Sequence, residues 1–137
     1  MATATSIFRG QSLHIPDTGP AHDRARGHLC VVLTDVSDDD KCLVVPICTA
    51  HDRCDKSCLL HPGDPGDHRF LTRESFVMYS QCRFYLGSYI AIQIAAGIIE
   101  DKGSVDASVL QRIDEGLSIT KMIAPIYRRF FLSQSAP

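Results

Sequence analysis

Residues 27–49 read GHLCVVLTDVSDDDKCLVVPICT, and this stretch constrains the fold more than any other. Two short apolar runs, 29–33 and 42–45, flank a connector holding Asp35, Ser37 and three consecutive aspartates, Asp38, Asp39 and Asp40. Short runs rich in β-branched residues around a strongly polar turn predict an antiparallel β-hairpin. Neither run alternates, so both strands are expected to be central, covered on both faces or closed into a barrel. The hairpin's open end leads into two segments dense in ionisable side chains, 22–28 upstream and 51–68 downstream. A functional site is expected where those segments meet.

Size and composition narrow the surroundings of this hairpin. The 137 residues are read as one domain, 1–137, with residues 1–9 frayed and 118–137 a C-terminal helical extension. The apolar share of 45% and charged share of 22% are those of an ordinary globular protein. No apolar run reaches the roughly 20 residues of a membrane-spanning helix. The first residues, MATATSIFRGQSL, lack the basic-then-apolar order of a secretory signal, so no membrane and a cytoplasmic location are expected. A net charge of −2 excludes a basic surface as a global property. A local patch is left to Arg24, Arg26, Arg53, Arg69, Arg73 and Arg83, all in or beside predicted loops.

Elsewhere, residues 12–15 predict a first strand, ended by Pro16, Gly19 and Pro20. A strand edge is expected at 58–60, and PGDPGD after it is turn chemistry. Residues 70–79 suit one or two short strands around Ser75. Residues 83–91 read as a further strand, and Ile90, Ile92 and Ile94 carry a period of two that extends it. Residues 97–100 are expected to continue or repeat that strand. Asp106 is the expected N-cap of a helix whose buried face is Val109, Leu110, Ile113 and Leu117, with Gly116 as its stop. Residues 118–132 are expected to be helical, with Pro125 near the start or at a kink. About five strands followed by helices predict an α+β fold, mainly β, built on a small β-barrel.

Three chemistries can be written on these residues, each beside a plainer reading. Cys48, His51, Cys54, Cys58, His61 and His68 include enough soft and borderline ligands to close a tetrahedral zinc site, with Cys54, Cys58, His51 and His61 as its core. The plainer reading is buried thiols and loop histidines, with reduced cysteines such as Cys30 and Cys42 filling the core. Metal-free phosphodiester cleavage needs a base, an acid and a cation for the phosphorane. Histidine as a residue type titrates near neutrality, which makes His28 and His68 the candidates for acid and base. Arg24, Arg26 or Arg69 can supply the cation, and Thr49 or Ser75 the hydroxyl that holds phosphate; each is equally an ordinary loop or strand-end residue. Cys48, three residues before His51, is a nucleophile candidate without framing glycines. Phe70, Phe76, Tyr79, Phe84, Tyr85 and Tyr89 can stack bases or fill a core. The end segment with Tyr127, Arg128, Arg129, Phe130 and Phe131 can be a basic–aromatic patch or a packed helix.

GHLCVVLTD followed by LVVPICT resembles the PemK/MazF-like toxin family, in which a glycine-led loop enters one strand and a second strand ends in Val-Pro before a threonine. GIIEDKGSVDASVLQRIDEGL is similar to that family's strand, lysine–glycine turn and closing helix. DKSCLL and GDHRFLTRESFVMY resemble a signature of a divergent branch. The likeness spans residues 10–120. It implies an SH3-like barrel of PemK/MazF type, a homodimer, and a metal-independent endoribonuclease that cleaves RNA, uses no cofactor and is restrained by an antitoxin protein. Transferred to this chain, it makes Arg26, His28, Thr49 and His68 catalytic, with Arg24, Arg69 and Ser75 binding substrate. Leu29-Cys30 stand where the family carries arginine–proline, and the threonine position falls on Cys48 or, one residue on, Thr49. The alternative is a non-catalytic barrel of this type that binds protein or nucleic acid, with or without zinc.

Overall fold

A computed structural model describes residues 6–16, 27–63 and 71–135. The expected hairpin forms between β2 (His28–Val32) and β3 (Lys41–Thr49). Leu29 stands opposite Ile47, Cys30 opposite Pro46, Val31 opposite Val45 and Val32 opposite Val44. The polar connector closes on itself: Ser37 N–H donates to Lys41 O at 2.8 Å and Asp40 N–H to Ser37 O at 2.9 Å. β1 (Gln11–Ile15) pairs with β2 on the hairpin's outer side, and β7 (Glu100–Ser104) pairs with β1.

The nine-residue β3 is the hub. Its first half pairs with β6 (Arg83–Leu86), through Lys41 to Val44. Its last three residues pair with β5 (Ser75–Val77), which carries β4 (Leu59–Leu60) on its far side. Pro46 sits where β3 changes partner. Its carbonyl accepts from Met78 N–H at 2.9 Å. Its missing N–H therefore faces the gap between β6 and β5, where no ladder donor is required. A strand that switches partners along one edge turns the corner of a curled antiparallel sheet.

Both faces of this sheet are covered, as the unbroken apolar runs require. On one face Val31, Leu33, Leu43, Val45, Ile47 and Val77 pack under α2 (Ala107–Ile119) and α3 (Pro125–Ser135), which contribute Val109, Ile113, Leu117 and Phe131. On the other, Leu13, Ile15, Cys30, Val32, Cys42 and Val44 pack with Ile90 of α1 (Gly87–Ala95) and with Ile99. Asp106 caps α2 as expected, its carboxylate accepting from Ser108 N–H at 3.0 Å, and Pro125 opens α3.

Several expectations are corrected, among them the strand expected over 97–100, where the chain turns until Glu100, and the helix expected over 118–132, which is interrupted at 120–124. Residues 87–95, read as strand from the spacing of Ile90, Ile92 and Ile94, form α1. This segment is apolar at nearly every position and so fits either period, and the decision comes from a distant residue. Asp40 adopts a φ of 65°, its carbonyl accepts from Gly87 N–H at 2.9 Å, and its carboxylate accepts from Ser88 N–H at 3.2 Å. Asp40 thus supplies the N-terminal acceptor that Leu86, at the N-cap, cannot.

The helix predicted to stop at Gly116 runs to Ile119. A Cβ at Gly116 would lie 2.4 Å from Tyr79 Oη and 2.8 Å from Cys58 Cβ, so this glycine is a packing position rather than a terminator. Nor does the chain fray as far as residue 9. Arg9 forms a two-pronged ion pair with Asp114 of α2, and its guanidinium also donates to Leu33 O at 2.8 Å.

Candidate functional site at the open end of the hairpin

Gly27 leads into β2 with a φ of +65°, and a Cβ there would come within 2.5 Å of Ile15 O. Only glycine fits both constraints, which explains the glycine that opens the hairpin motif. Beyond it the ends of β2, β3, β5 and β4 lie side by side. Thr49 stands opposite Ser75 and Ser75 opposite Leu60, while one residue inward Cys48 stands opposite Phe76. His28, Thr49 and Ser75 are therefore brought to one end of three neighbouring strands. Arg24, Arg26, His68 and Arg69 lie outside the described residues.

Ladder parity sorts the gathered residues onto two faces. His28 is opposite Ile15 and two residues from Cys30, and so it projects to the α1 face with them. Thr49 follows Ile47 at a spacing of two and projects to the α2–α3 face, as does Ser75. The two are not equivalent hydroxyls. Thr49 is exposed, whereas Ser75 is buried and its Oγ donates to Arg73 O at 2.9 Å. Leu29, in the arginine position of the resemblance, shares Thr49's face and packs against the larger core. His28 leaves the opposite face and so does not replace that arginine in register. A phosphate touching both His28 and Thr49 has to lie across the strand ends rather than on either face.

Of the residues suggested for zinc, His68 lies outside the described residues, and His61, His51 and Cys58 turn to different partners. His61 Nδ1 is 3.1 Å from Glu74 Oε2 at the surface, and the His51 ring meets Phe76 edge-on, centroids 5.6 Å apart. Cys58 is buried beneath α2 beside Tyr79, and burial pushes its thiol up to about 11. Among the described residues no three His, Cys, Asp or Glu side chains gather as a metal site would require. Cys48 Sγ lies 3.5 Å from Met78 Sδ, a soft apolar neighbour that does nothing to stabilise a thiolate.

A second group was legible only in part. On the α1 face, Cys30, Val44, Pro46, Gln81, Arg83 and Tyr85 line a small depression. Arg83 is exposed and donates to Gln81 Oε1 at 2.9 Å; among the described residues no carboxylate pairs with it. Tyr85 stacks on Tyr89, with centroids 6.3 Å apart and planes 25° from parallel. An exposed guanidinium beside a stacked aromatic pair is able to meet both the phosphate and the base of a single strand. By contrast Phe76 and Tyr79 are core, and Phe84 packs edge-on against Tyr127 and Phe130, as the plainer reading had them.

This topology has solved counterparts. The chain superposes on the MazE–MazF structure from Deinococcus radiodurans with a TM-score of 0.53 at 13% identity, covering 88% of this chain and 99% of that one. An endoribonuclease from a mycobacterial species gives 0.52 at 14% identity, covering 99% and 100%. The fold is that of these MazF-type structures. No protein-family model and no curated protein sequence matches the chain. With sequence identity this low, the likeness carries the MazF-type architecture, mainly antiparallel sheet with three helices, on a divergent sequence. Among the described residues no helix is long and apolar enough to cross a membrane.

Proposed function

We propose that this chain is a toxin-type endoribonuclease of a toxin–antitoxin pair, cleaving single-stranded RNA without a metal, with an antitoxin protein as partner and a homodimer as its working unit. The observation that carries the reading is the end-to-end match to MazF-type structures, one from a MazE–MazF structure and one an endoribonuclease. The hairpin supports it by placing His28 and Thr49 at neighbouring strand ends, next in sequence to the cationic segment that ends at Arg26.

In this reading Arg26 stabilises the charge that builds on the phosphorane, and His28 and His68 exchange the protons of the 2′-hydroxyl and the leaving oxygen. Thr49 holds the phosphate across the strand ends, and Arg24 and Arg69 steer the backbone. Thr49 is a better phosphate ligand than Ser75 because its hydroxyl faces solvent. Single-stranded RNA incubated with the purified protein in EDTA tests the proposal. The expected result is cleavage by the wild type and its loss in Arg26→Ala and in His28→Ala with His68→Ala. Intact RNA with the wild type, or unchanged cleavage in those variants, overturns it.

One observation favours a second reading. Leu29 places an apolar side chain where the resemblance expects the catalytic cation, which suits a module that binds RNA or protein without cutting. RNA that is retained by the protein yet stays intact would select it.

A further inference from the structure

One ladder row crosses the sheet near its open end, on the face that carries Thr49. His14 stands opposite Leu29, Leu29 opposite Ile47 and Ile47 opposite Val77, and β7 adds Glu100 opposite His14. Residues directly opposite in an antiparallel ladder project to the same face. His14 and Glu100 therefore leave the sheet on the α2–α3 side, with Leu29 and Thr49, while Leu13 and Ile15 fill the smaller core on the other side. Leu29, Ile47 and Val77, inside the row, are apolar, whereas His14 and Glu100, at its outer end, are ionisable. His14 is half-buried. A single histidine in a short strand carries no motif, so only the register marks it.

The spacing suits a phosphate. Thr49 lies two strands across from His14 and two residues further toward the open end, which puts their Cα atoms about 12 Å apart. The imidazole and the hydroxyl both reach inward from those positions, and two hydrogen bonds of about 2.8 Å with a phosphate between them close the rest. Leu29 is the floor of this gap, and Gly27, two residues before it, brings no side chain into the space.

We propose that His14 is a phosphate-contacting residue of this site, its imidazole donating to a nonbridging oxygen of the same phosphate that Thr49 holds. The assignment rests on RNA as the substrate proposed above. It gives Thr49's own face a donor, which His28 does not supply because it leaves the opposite face. Glu100 is the carboxylate next to His14. The Lys102 hydrogen bond and charge, with a smaller attraction to His14, hold the Glu100 carboxyl below the ordinary carboxylate range. Lys102 Nζ, 2.9 Å from Glu100 Oε2, also offsets that negative charge against an incoming phosphate. An imidazolium donates from both ring nitrogens, so one meets the phosphate while the other is left to Glu100.

A single-stranded 2′-deoxy oligonucleotide, which has no 2′-hydroxyl to attack its phosphates, reports the contact apart from the chemistry. Its addition to isotope-labelled wild type is expected to shift the His14 imidazole signals in NMR spectra, those signals being the ones missing from His14→Gln. In fluorescence anisotropy His14→Ala should weaken binding of the same strand about tenfold. His14→Gln, which keeps an N–H donor, should recover part of that loss, and circular dichroism checks that both variants fold. His14→Ala combined with Thr49→Val should lose less than the product of the two single losses, because both side chains hold one phosphate. His14 signals that do not move, losses that multiply in the double variant, or an oligonucleotide that does not bind each overturn the assignment. RNA cleavage by a wild type whose His14 signals stay put leaves the endoribonuclease reading standing without His14. Shifted His14 signals in a protein that leaves RNA intact do the reverse.

Discussion

Leu29 and Ile47 face each other across the β2–β3 ladder, so the Leu29 side chain leaves the same face as Thr49, two residues further along β3. An arginine at Leu29 would therefore stand beside the exposed Thr49 hydroxyl. Leu29→Arg is expected to raise RNA cleavage in EDTA at least tenfold, by adding a cation where negative charge develops. Half-burial of Leu29 limits the cost to about 1–2 kcal/mol, because the guanidinium can reach solvent from the second residue of β2. Cleavage assays with a urea melt of the same variant measure both quantities. A folded Leu29→Arg protein with no gain removes this position from the catalytic reading.

Gly116 is closed to any larger residue by Tyr79, whose hydroxyl donates to Ile113 O at 2.6 Å and is fixed there. Alanine favours a helix interior by about 1 kcal/mol over glycine. Here the overlap with Tyr79 Oη, Cys58 Cβ and Ser57 O reverses the sign. Gly116→Ala is expected to destabilise by about 2–3 kcal/mol in chemical denaturation. Adding Tyr79→Phe should recover part of that loss, since the nearest of the three obstacles is then gone.

Exposed Arg83 and half-buried Tyr85, which rests against the smaller core, offer a test of RNA binding. Arg83→Ala is expected to weaken binding of single-stranded RNA and to flatten the log–log salt dependence by about 0.7. Tyr85→Leu should cost roughly 1–3 kcal/mol of affinity with little change in salt dependence, because it removes stacking rather than charge. Filter binding or fluorescence anisotropy across a salt series separates the two. Unchanged affinity and slope in Arg83→Ala would take the depression out of the binding surface.

Burial raises three thiols, Cys42 and Cys82 to about 12 and Cys58 to about 11, from an ordinary value of 9.0. Each stays protonated in the folded chain at a pH where the unfolded chain has lost the proton. Folded protein then holds more protons, so stability is complete below about pH 9 and is lost as pH rises from there toward 11 and 12. Denaturation midpoints measured from pH 7 to pH 11 should fall above pH 9, and less steeply when Cys42 and Cys82 are replaced by alanine. At pH 8 a thiol reagent should modify half-buried Cys48 well before these three.

The β2–β3 hairpin, the first strand, the Asp106 cap and the inward face of α2 were legible because each depends on near neighbours in sequence. Period, capping oxygen and turn composition all act within a few residues. Helix α1 was not legible. Its isoleucines suit either period, and its N-terminal acceptor, Asp40, lies nearly fifty residues earlier. Gly116 was misread for the same kind of reason, because the group that demands a glycine there is the Tyr79 hydroxyl, not a helix end. The candidate site was legible as a set of residue types around one hairpin, and not as an arrangement.

By itself, the sequence between residues 27 and 49 determined that two strands pair, that both lie inside, and that ionisable segments adjoin their open end. Apolar runs without alternation leave a sheet no other stable place. Only the tertiary structure decided which side chains share a face. His28 and Thr49 separate to opposite sides, Leu29 joins Thr49, and Arg83 with Tyr85 joins His28, because a ladder register fixes every side chain in it to one of two faces.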